Sequence, residues 1–134
     1  MGEPVVKVLL DTHSLIWALT DPSLLSPKAR EVIGARSNEL VVSAASAWEI
    51  AIKYRNGRLP QLESTVLSYE AQLATLGTVE LAISTAHALL AGRLVWAHKD
   101  PFDRMLAAQS MLENAPLITS DSVFEGLPAV QTIW

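Results

Sequence analysis

The chain has 134 residues, half of them hydrophobic, and a formal net charge of −4. This composition suits a compact domain with a real core and argues against disorder, and the absence of cysteine excludes disulfides and thiolate zinc sites. No apolar run is long enough to span a bilayer and no basic-then-apolar leader opens the chain, so we expect a cytoplasmic protein without a membrane anchor.

Short apolar segments rich in branched residues alternate with helical patterns along the chain. Strands covered on both faces are predicted at residues 5–10, 40–43, 78–82, 117–119 and 130–133. Helices are predicted at residues 28–36, 44–55, 63–76, 85–90 and 102–113, with a further helix that starts near His13. This alternation favours parallel strands with right-handed crossovers. We therefore predict an α/β fold in one domain over residues 1–134, a three-layer α/β/α sandwich with a mainly parallel sheet of roughly five strands.

Acidic side chains recur at the predicted strand ends and helix starts. Asp11 follows the first strand, Asp121 follows the fourth, Asp100 and Asp103 open the last helix, and Glu49 lies within an otherwise apolar helix. Because strand ends in an open parallel sheet converge on one crevice, these carboxylates are expected to meet. Clustered carboxylates repel one another unless a cation neutralises them, and oxygen ligands suit Mg²⁺ or Mn²⁺. The pattern predicts a metal site.

Each acid also has an ordinary structural explanation. Asp11 and Asp100 could cap helices, Asp103 could complement a helix dipole, and Asp121 could form an Asx turn. Glu49 has a lysine four residues later, the spacing of a favourable surface pair. These separate roles do not explain why four of the five aspartates mark the same predicted sheet edge. Their joint placement favours the metal site.

Other chemistry has no supporting motif, and the basic residues are few. The histidines lack zinc spacing, the glycines form no phosphate loop, and no Gly-x-Ser-x-Gly elbow occurs. The acidic net charge argues against nucleic acid, but Lys53 and Arg55 after Glu49, and Arg104 beside the last acids, could contact phosphates. Of the four tryptophans, Trp96 is expected to be the most exposed.

Four segments carry a family resemblance over nearly the whole chain. They are Leu-Leu-Asp-Thr-His at 9–13, Trp-Glu-Ile-Ala-Ile-Lys at 48–53, His-Lys-Asp-Pro-Phe-Asp-Arg-Met-Leu at 98–106 and Leu-Ile-Thr-Ser-Asp at 117–121. In this order they resemble PIN-domain proteins, in particular the VapC-type ribonuclease toxins of bacterial toxin–antitoxin pairs. The resemblance implies a PIN-like fold and hydrolysis of RNA phosphodiester bonds with Mg²⁺ or Mn²⁺.

The resemblance also implies which residues form the site. The family's acidic quartet falls on Asp11, Glu49, Asp103 and Asp121. Asp100 could be a further ligand, a residue that holds a ligand in place, or only the helix cap. Thr119 could orient Asp121 or a metal-bound water. The implied partners are an RNA substrate, a cognate antitoxin whose C-terminal segment covers the groove, and a second copy in a homodimer.

Two alternatives belong to other functional classes. One is a PIN-like module that binds RNA or protein without cutting it, although such a module has no need of mutually repelling carboxylates. The other is a phosphotransfer enzyme or receiver with Asp11 as the phospho-acceptor. His13 stands where haloacid-dehalogenase-like enzymes place a second aspartate, and no adjacent acids suit a receiver.

Overall fold

The computed structural model describes residues 6–58 and 60–134 and has a parallel sheet at its centre. The strands are β1 (Val6–Leu10), β2 (Asn38–Ser43), β3 (Thr78–Leu81), β4 (Leu117–Ile118) and β5 (Thr132–Ile133). They lie in the order β3–β2–β1–β4–β5, and every neighbouring pair is parallel. The predicted α/β class and five-stranded parallel sheet are confirmed. Val5, included in the first predicted strand, lies outside the described residues.

Seven α-helices connect the strands within the described residues. They are α1 (Thr12–Thr20), α2 (Pro27–Gly34), α3 (Ala44–Arg55), α4 (Glu63–Leu67), α5 (Tyr69–Leu76), α6 (Thr85–Arg93) and α7 (Pro101–Leu112). Ser26, Ser43, Ser84 and Asp100 each accept a backbone N–H bond at a helix start, as capping residues do. Of the helices in the described part of the chain, none combines the length and hydrophobicity needed to cross a bilayer.

The helix boundaries differ from the prediction by more than one residue at three places. The segment 63–76, predicted as one helix, is divided into α4 and α5 at Ser68. The Ser68 hydroxyl donates to the carbonyl of Ser64, which also accepts the Ser68 backbone N–H at 3.0 Å. Such a bond from a serine hydroxyl to the carbonyl four residues earlier often bends a helix, and here it coincides with a break that no proline or glycine marks. Helix α2 ends at Gly34, earlier than predicted, whereas α6 continues past the predicted end to Arg93.

Side chains of the central strands alternate between two apolar cores. Val8 and Leu10 of β1 belong to the core on one face, while Leu9 belongs to the core on the other. The same alternation places Val42 of β2 in the first core and Val41 in the second. Helices therefore cover both faces of the sheet, which explains why its strands are apolar at consecutive positions.

The sheet has a topological switch point between β1 and β4. The chain proceeds outwards through β1, β2 and β3 on one side, then returns to β4 and β5 on the other. Leu9 and Leu10 pair with Leu117 and Ile118, and the N–H of Asp11 donates to the carbonyl of Ile118 at 3.0 Å. The ends of these two strands are thus side by side, at the position where open α/β sheets bind ligands.

Candidate functional site

Asp11 is the most deeply buried of the predicted site acids. It immediately follows β1, is 6% exposed, and its Oδ1 accepts the N–H of Ser14 at 2.8 Å. This bond caps α1, so the structural role considered for Asp11 is present. Burial raises the pKa of the Asp11 carboxyl, and the neighbouring Thr119 and Ser14 offset this rise only in part. Asp11 therefore holds its charge at a free-energy cost.

Thr119 connects the ends of β1 and β4. Its buried hydroxyl accepts the backbone N–H of Asp121 at 3.0 Å and lies beside the carboxylate of Asp11. Asp121 itself is exposed, and its Oδ1 accepts the N–H of Val123 at 3.0 Å in an Asx-type turn. Thr119 thus positions the backbone of Asp121. Its predicted role, to orient Asp121 or a metal-bound water, concerns the same part of the site.

Glu49 and Lys53 form an ion pair on α3. Their charged atoms are 3.0 Å apart, and the Glu49 side chain is only 13% exposed. The helix begins directly after β2 with Ser43 as its cap, which brings Glu49 to the same edge of the sheet as Asp11. The predicted pair is present, so the ammonium of Lys53 that was predicted to contact phosphate is engaged with a carboxylate here. Arg55 is exposed in the last turn of α3, and its predicted RNA contact stays a prediction.

Asp103 lies in the first turn of α7 between two other ionisable groups. Its Oδ2 is 2.7 Å from Nε2 of His98, and Asp100 caps the helix by accepting the N–H groups of Phe102 at 2.8 Å and Asp103 at 3.1 Å. Burial raises the pKa of Asp103; the His98 hydrogen bond lowers it, while the charges of Asp100 and Glu49 raise it further. Asp100 is thus a cap, and Glu49 and Asp103 are electrostatically coupled.

The acids meet at one edge of the sheet but form two groups. Asp11 and Asp121 are joined through Thr119, whereas Glu49 and Asp103 interact with each other. Across residues 6–58 and 60–134, no three His, Asp or Glu side chains stand close enough together to form a metal site. The donor chemistry fits Mg²⁺ or Mn²⁺ because a cation would offset the raised pKa values. A bound cation would also have to compete with the hydrogen-bond and ion-pair partners that these carboxylates have in the structure.

Arg104 is hydrogen-bonded to the backbone, and its predicted contact with RNA stays a prediction. Its five guanidinium N–H groups donate to five backbone carbonyls at 2.7–3.4 Å. These are the carbonyls of Ala91, Gly92, Leu94, Trp96 and His98. Because a guanidinium has only five N–H donors, none is left for a phosphate without breaking this set. The five hydrogen bonds of Arg104 thus stabilise the conformation of the segment that leads into α7.

Comparison with known proteins decides the family. A family model described as PIN domain matches residues 8–129. The chain belongs to the PIN-domain family. Ribonuclease VapC22 of Mycobacterium tuberculosis is 33% identical to it over 136 residues, which cover 97% of this chain and 100% of that protein. The family resemblance seen in the sequence is thereby confirmed.

Solved structures agree on the PIN fold. The VapBC2 structure from Rickettsia felis, bound to a DNA fragment from their promoter, matches with a TM-score of 0.70 and 14% identity, covering 95% of this chain and 97% of that one. A toxin–antitoxin complex from Klebsiella pneumoniae matches with a TM-score of 0.63 and 20% identity, covering 92% of this chain and 94% of that one. At these identities the two likenesses show the fold alone.

Two residues beside the acids of this PIN domain are not predicted by the sequence pattern. His98 contacts Asp103 although the histidines lack zinc spacing, and the available signal is its position just before the helix start that carries Asp103. Trp48 is 62% exposed next to Glu49 and packs edge-on against Phe102, with ring centroids 5.1 Å apart.

The prediction that Trp96 is the most exposed of the four tryptophans is wrong. Trp96 is only partly exposed, because its ring packs against the core residue Phe124 at 5.6 Å and against His98 at 5.0 Å. The Arg104 bonds to the carbonyls of Leu94, Trp96 and His98 hold the backbone on both sides of this indole. Trp48, beside the acids, is therefore the more exposed indole.

Proposed function

We propose that this PIN domain is a divalent-metal-dependent endoribonuclease that hydrolyses RNA phosphodiester bonds. Asp11, Glu49, Asp103 and Asp121 would hold Mg²⁺ or Mn²⁺, directly or through water. The observation that supports the proposal is that Asp11 and Asp121 follow the adjacent strands β1 and β4 at the switch point, while the charge of Glu49 on α3 acts on Asp103 in the first turn of α7. The name of the relative Ribonuclease VapC22 supports the choice of RNA as substrate.

The chain's own residues would divide the work between ligation and proton transfer. Asp11 and Asp103 are the better candidates for direct ligands, because burial makes their uncompensated charge costly. Asp121 is exposed at the end of β4 and would accept a proton from the attacking water, with its backbone held by Thr119. A bound divalent cation supplies a lowered pKa for that water and offsets charge on the phosphate oxygens.

An exposed aromatic pair supports the binding of unpaired RNA despite the acidic net charge. Trp48 precedes Glu49, Phe102 precedes Asp103, and the two rings are in edge-to-face contact. An exposed indole beside a nuclease centre offers a stacking surface to any base, and such stacking does not require a basic patch. Arg55 at the end of α3 would add a phosphate contact. The RNA would therefore be held by stacking as well as by charge.

We also propose that the protein is the toxin of a type II toxin–antitoxin pair, acting in the cytoplasm as a homodimer. The support is that structures with this fold include VapBC2 of Rickettsia felis and a toxin–antitoxin complex of Klebsiella pneumoniae. Expression should arrest growth, and co-expression of a small adjacent reading frame should relieve the arrest. Light scattering at micromolar concentration should give twice the monomer mass. Growth unaffected by expression would contradict the toxin role, and a monomer mass would contradict the dimer.

A cleavage assay with matched variants tests the chemistry. Labelled RNA should be cut with added Mg²⁺ or Mn²⁺, and chelator should abolish the cleavage. Asp121→Asn should reduce the rate by at least about a hundredfold, within the range that general acid–base groups contribute. Asp103→Asn should also reduce the rate because it removes the charge of a proposed metal ligand. Asp21→Asn is the matched control, because Asp21 only caps the turn at Ser23. Full activity of Asp103→Asn, or equal loss in Asp21→Asn, would refute the assignment.

The non-catalytic binding module is the second candidate. It is favoured by one observation, that within the described residues no three ionisable side chains form a ready-made metal site. This alternative predicts that RNA binds with the same affinity in chelator and in Mn²⁺ and that it stays intact. Fluorescence anisotropy of labelled RNA, followed by electrophoresis of the same samples, distinguishes the two functions.

A further inference from the structure

The segment between α6 and α7 is fixed by a single side chain. The Arg104 guanidinium donates to carbonyls from Ala91 to His98, so both ends of this segment are attached to one group on α7. Bonds from a charged donor are stronger than neutral ones, and a planar guanidinium imposes the directions of all five. The segment is therefore held in one conformation although residues 94–100 belong to no helix or strand.

The ring of Trp96 adds a second constraint on this segment. It packs against Phe124, and its Nε1 lies 3.3 Å from the position that a Cβ on Gly126 would occupy. Any side chain at position 126 would press on the indole. The Trp96 ring in turn lies against the imidazole of His98, with centroids 5.0 Å apart. The imidazole is thus restrained by its own backbone and by a neighbouring ring.

His98 connects the ordered segment to the carboxylate of Asp103. Its Nε2 is 2.7 Å from Oδ2 of Asp103, a short distance typical of a charge-assisted bond. Whenever the Asp103 carboxylate is ionised it only accepts hydrogen bonds, so that His98 then donates from Nε2. One oxygen of Asp103 is therefore held in a defined direction by a residue that is itself fixed from two sides.

We propose that Arg104 and His98 are positioning residues that orient the Asp103 carboxylate for a divalent cation, with Arg104 ordering residues 91–98 and His98 fixing Oδ2. This inference rests on the proposed function in one respect, that Asp103 is a metal ligand. A purely structural role for Arg104 would order the segment without affecting cation affinity. Groups that orient metal ligands in this way typically change the affinity by about 10–100-fold when they are removed.

Substitutions of His98 separate the donated hydrogen bond from the ring. His98→Phe keeps an aromatic ring against Trp96 but removes the donor, whereas His98→Gln keeps an N–H donor and removes the ring. Isothermal titration with Mn²⁺ and no RNA should show affinity lowered about 10–100-fold in His98→Phe and within about threefold of wild type in His98→Gln. Unchanged or higher affinity in His98→Phe, or equal losses in both variants, would overturn the role of His98.

Order in the segment tests Arg104 in the metal-free protein. Lysine offers one ammonium in place of a five-donor fork, so Arg104→Lys should lower the backbone order parameters of residues 94–98 from about 0.85 to below about 0.6 in ¹⁵N relaxation. Arg36→Lys, at an exposed position after α2, is the matched control. The Mn²⁺ affinity of Arg104→Lys should fall as in His98→Phe. Unchanged order parameters, or flexibility with wild-type affinity, would overturn the inference.

Failure of this inference can be told apart from failure of the proposed function. If wild-type protein neither binds Mn²⁺ nor cuts RNA, the metal site itself is refuted, together with its positioning residues. If wild type binds and cuts while His98→Phe and Arg104→Lys bind Mn²⁺ as tightly, only the positioning role is refuted. Thermal unfolding of each variant shows whether a loss of Mn²⁺ affinity comes from global destabilisation. In that case His98→Gln shows whether the hydrogen bond matters, because it keeps the N–H donor without the ring.

Discussion

Replacing Asp11 by asparagine should stabilise the metal-free protein at neutral pH. Asp11 is 6% exposed, and burial raises its pKa because the charged form loses its hydration. Asparagine has the same shape and removes the charge. It also keeps an oxygen that can accept the N–H of Ser14, now 2.8 Å from the carboxylate. The substitution therefore relieves the desolvation cost without opening a cavity or uncapping α1.

The expected gain follows from what the substitution retains and removes. Asparagine is as good an N-cap as aspartate, so the cap contribution of about 1 kcal/mol is kept. Relief of one unfavourable site commonly raises the free energy of unfolding by about 0.5–2 kcal/mol. For a domain of this size, that corresponds to a rise in Tm of roughly 2–10 °C. Asp11→Ala should be less stable than Asp11→Asn by about 1 kcal/mol because it loses the cap.

The gain should depend on pH in a defined direction. A carboxyl with a raised folded-state pKa contributes stability below its unfolded pKa and loses that contribution as the pH rises through the folded value. Wild type therefore loses stability over this interval, whereas the asparagine side chain does not titrate. Urea denaturation in chelator from about pH 4 to pH 8 should give a difference that is small at the acid end and largest near neutrality. Lower stability of Asp11→Asn at pH 7, or a gain that grows as the pH falls, would refute the reasoning.

Three further predictions concern the cation, the RNA and the core. Mn²⁺ at about a hundred times its Kd should stabilise wild type by about 2.7 kcal/mol in thermal unfolding, and an equal shift in Glu49→Gln would exclude Glu49 as a ligand. Trp48→Ala should raise the KM for RNA at least about fivefold because one base loses its stacking partner, whereas Trp48→Phe should keep most of the affinity. Equal KM values for wild type and Trp48→Ala would exclude stacking on this indole. Leu117→Ala, at a fully buried position of β4, should lower the free energy of unfolding by about 2–5 kcal/mol in urea, and a loss under about 1 kcal/mol would show that the core rearranges to fill the space.

The architecture could be predicted because its signals are local. The strands β1, β2 and β4 each have apolar residues at consecutive positions, and helix starts are marked by residues such as Ser26 before Pro27 and Asp100 before Pro101. The break at Ser68 could not be predicted, since serine in a helix interior is usually tolerated and only the bond to Ser64 shows its effect. The short β4 and β5 depend on tertiary pairing, of β4 with β1 and of β5 with β4, more than on their own propensity.

The placement of acids at one edge of the sheet could be predicted from the sequence, but the contacts that each acid makes could not. Strand ends and helix starts converge by topology, so Asp11 and Asp121 could be placed at one edge without coordinates. The partners of each acid depend on the directions of side chains and on the conformation of a segment that is neither helix nor strand. The bond from His98 to Asp103 and the bonds from Arg104 to five carbonyls both depend on that segment, so the sequence pattern does not predict them. A basic residue beside an acidic cluster indicates a phosphate contact only when its donors are not already used.

The two acids that are joined through Thr119 differ in how firmly the fold holds them. Asp11 is fixed by its N–H bond to the carbonyl of Ile118 and by the Ser14 hydroxyl, which donates to the same carbonyl at 3.1 Å. Asp121 instead follows a strand of only two residues, is exposed, and is held mainly through Thr119 and its own turn. In the proposed mechanism, the cation would thus meet a rigid carboxylate at Asp11, and the attacking water would meet an adjustable one at Asp121. Because an adjustable carboxylate adds little to the folded state, Asp121→Asn should reduce catalysis while leaving the stability of the metal-free protein within about 0.5 kcal/mol of wild type.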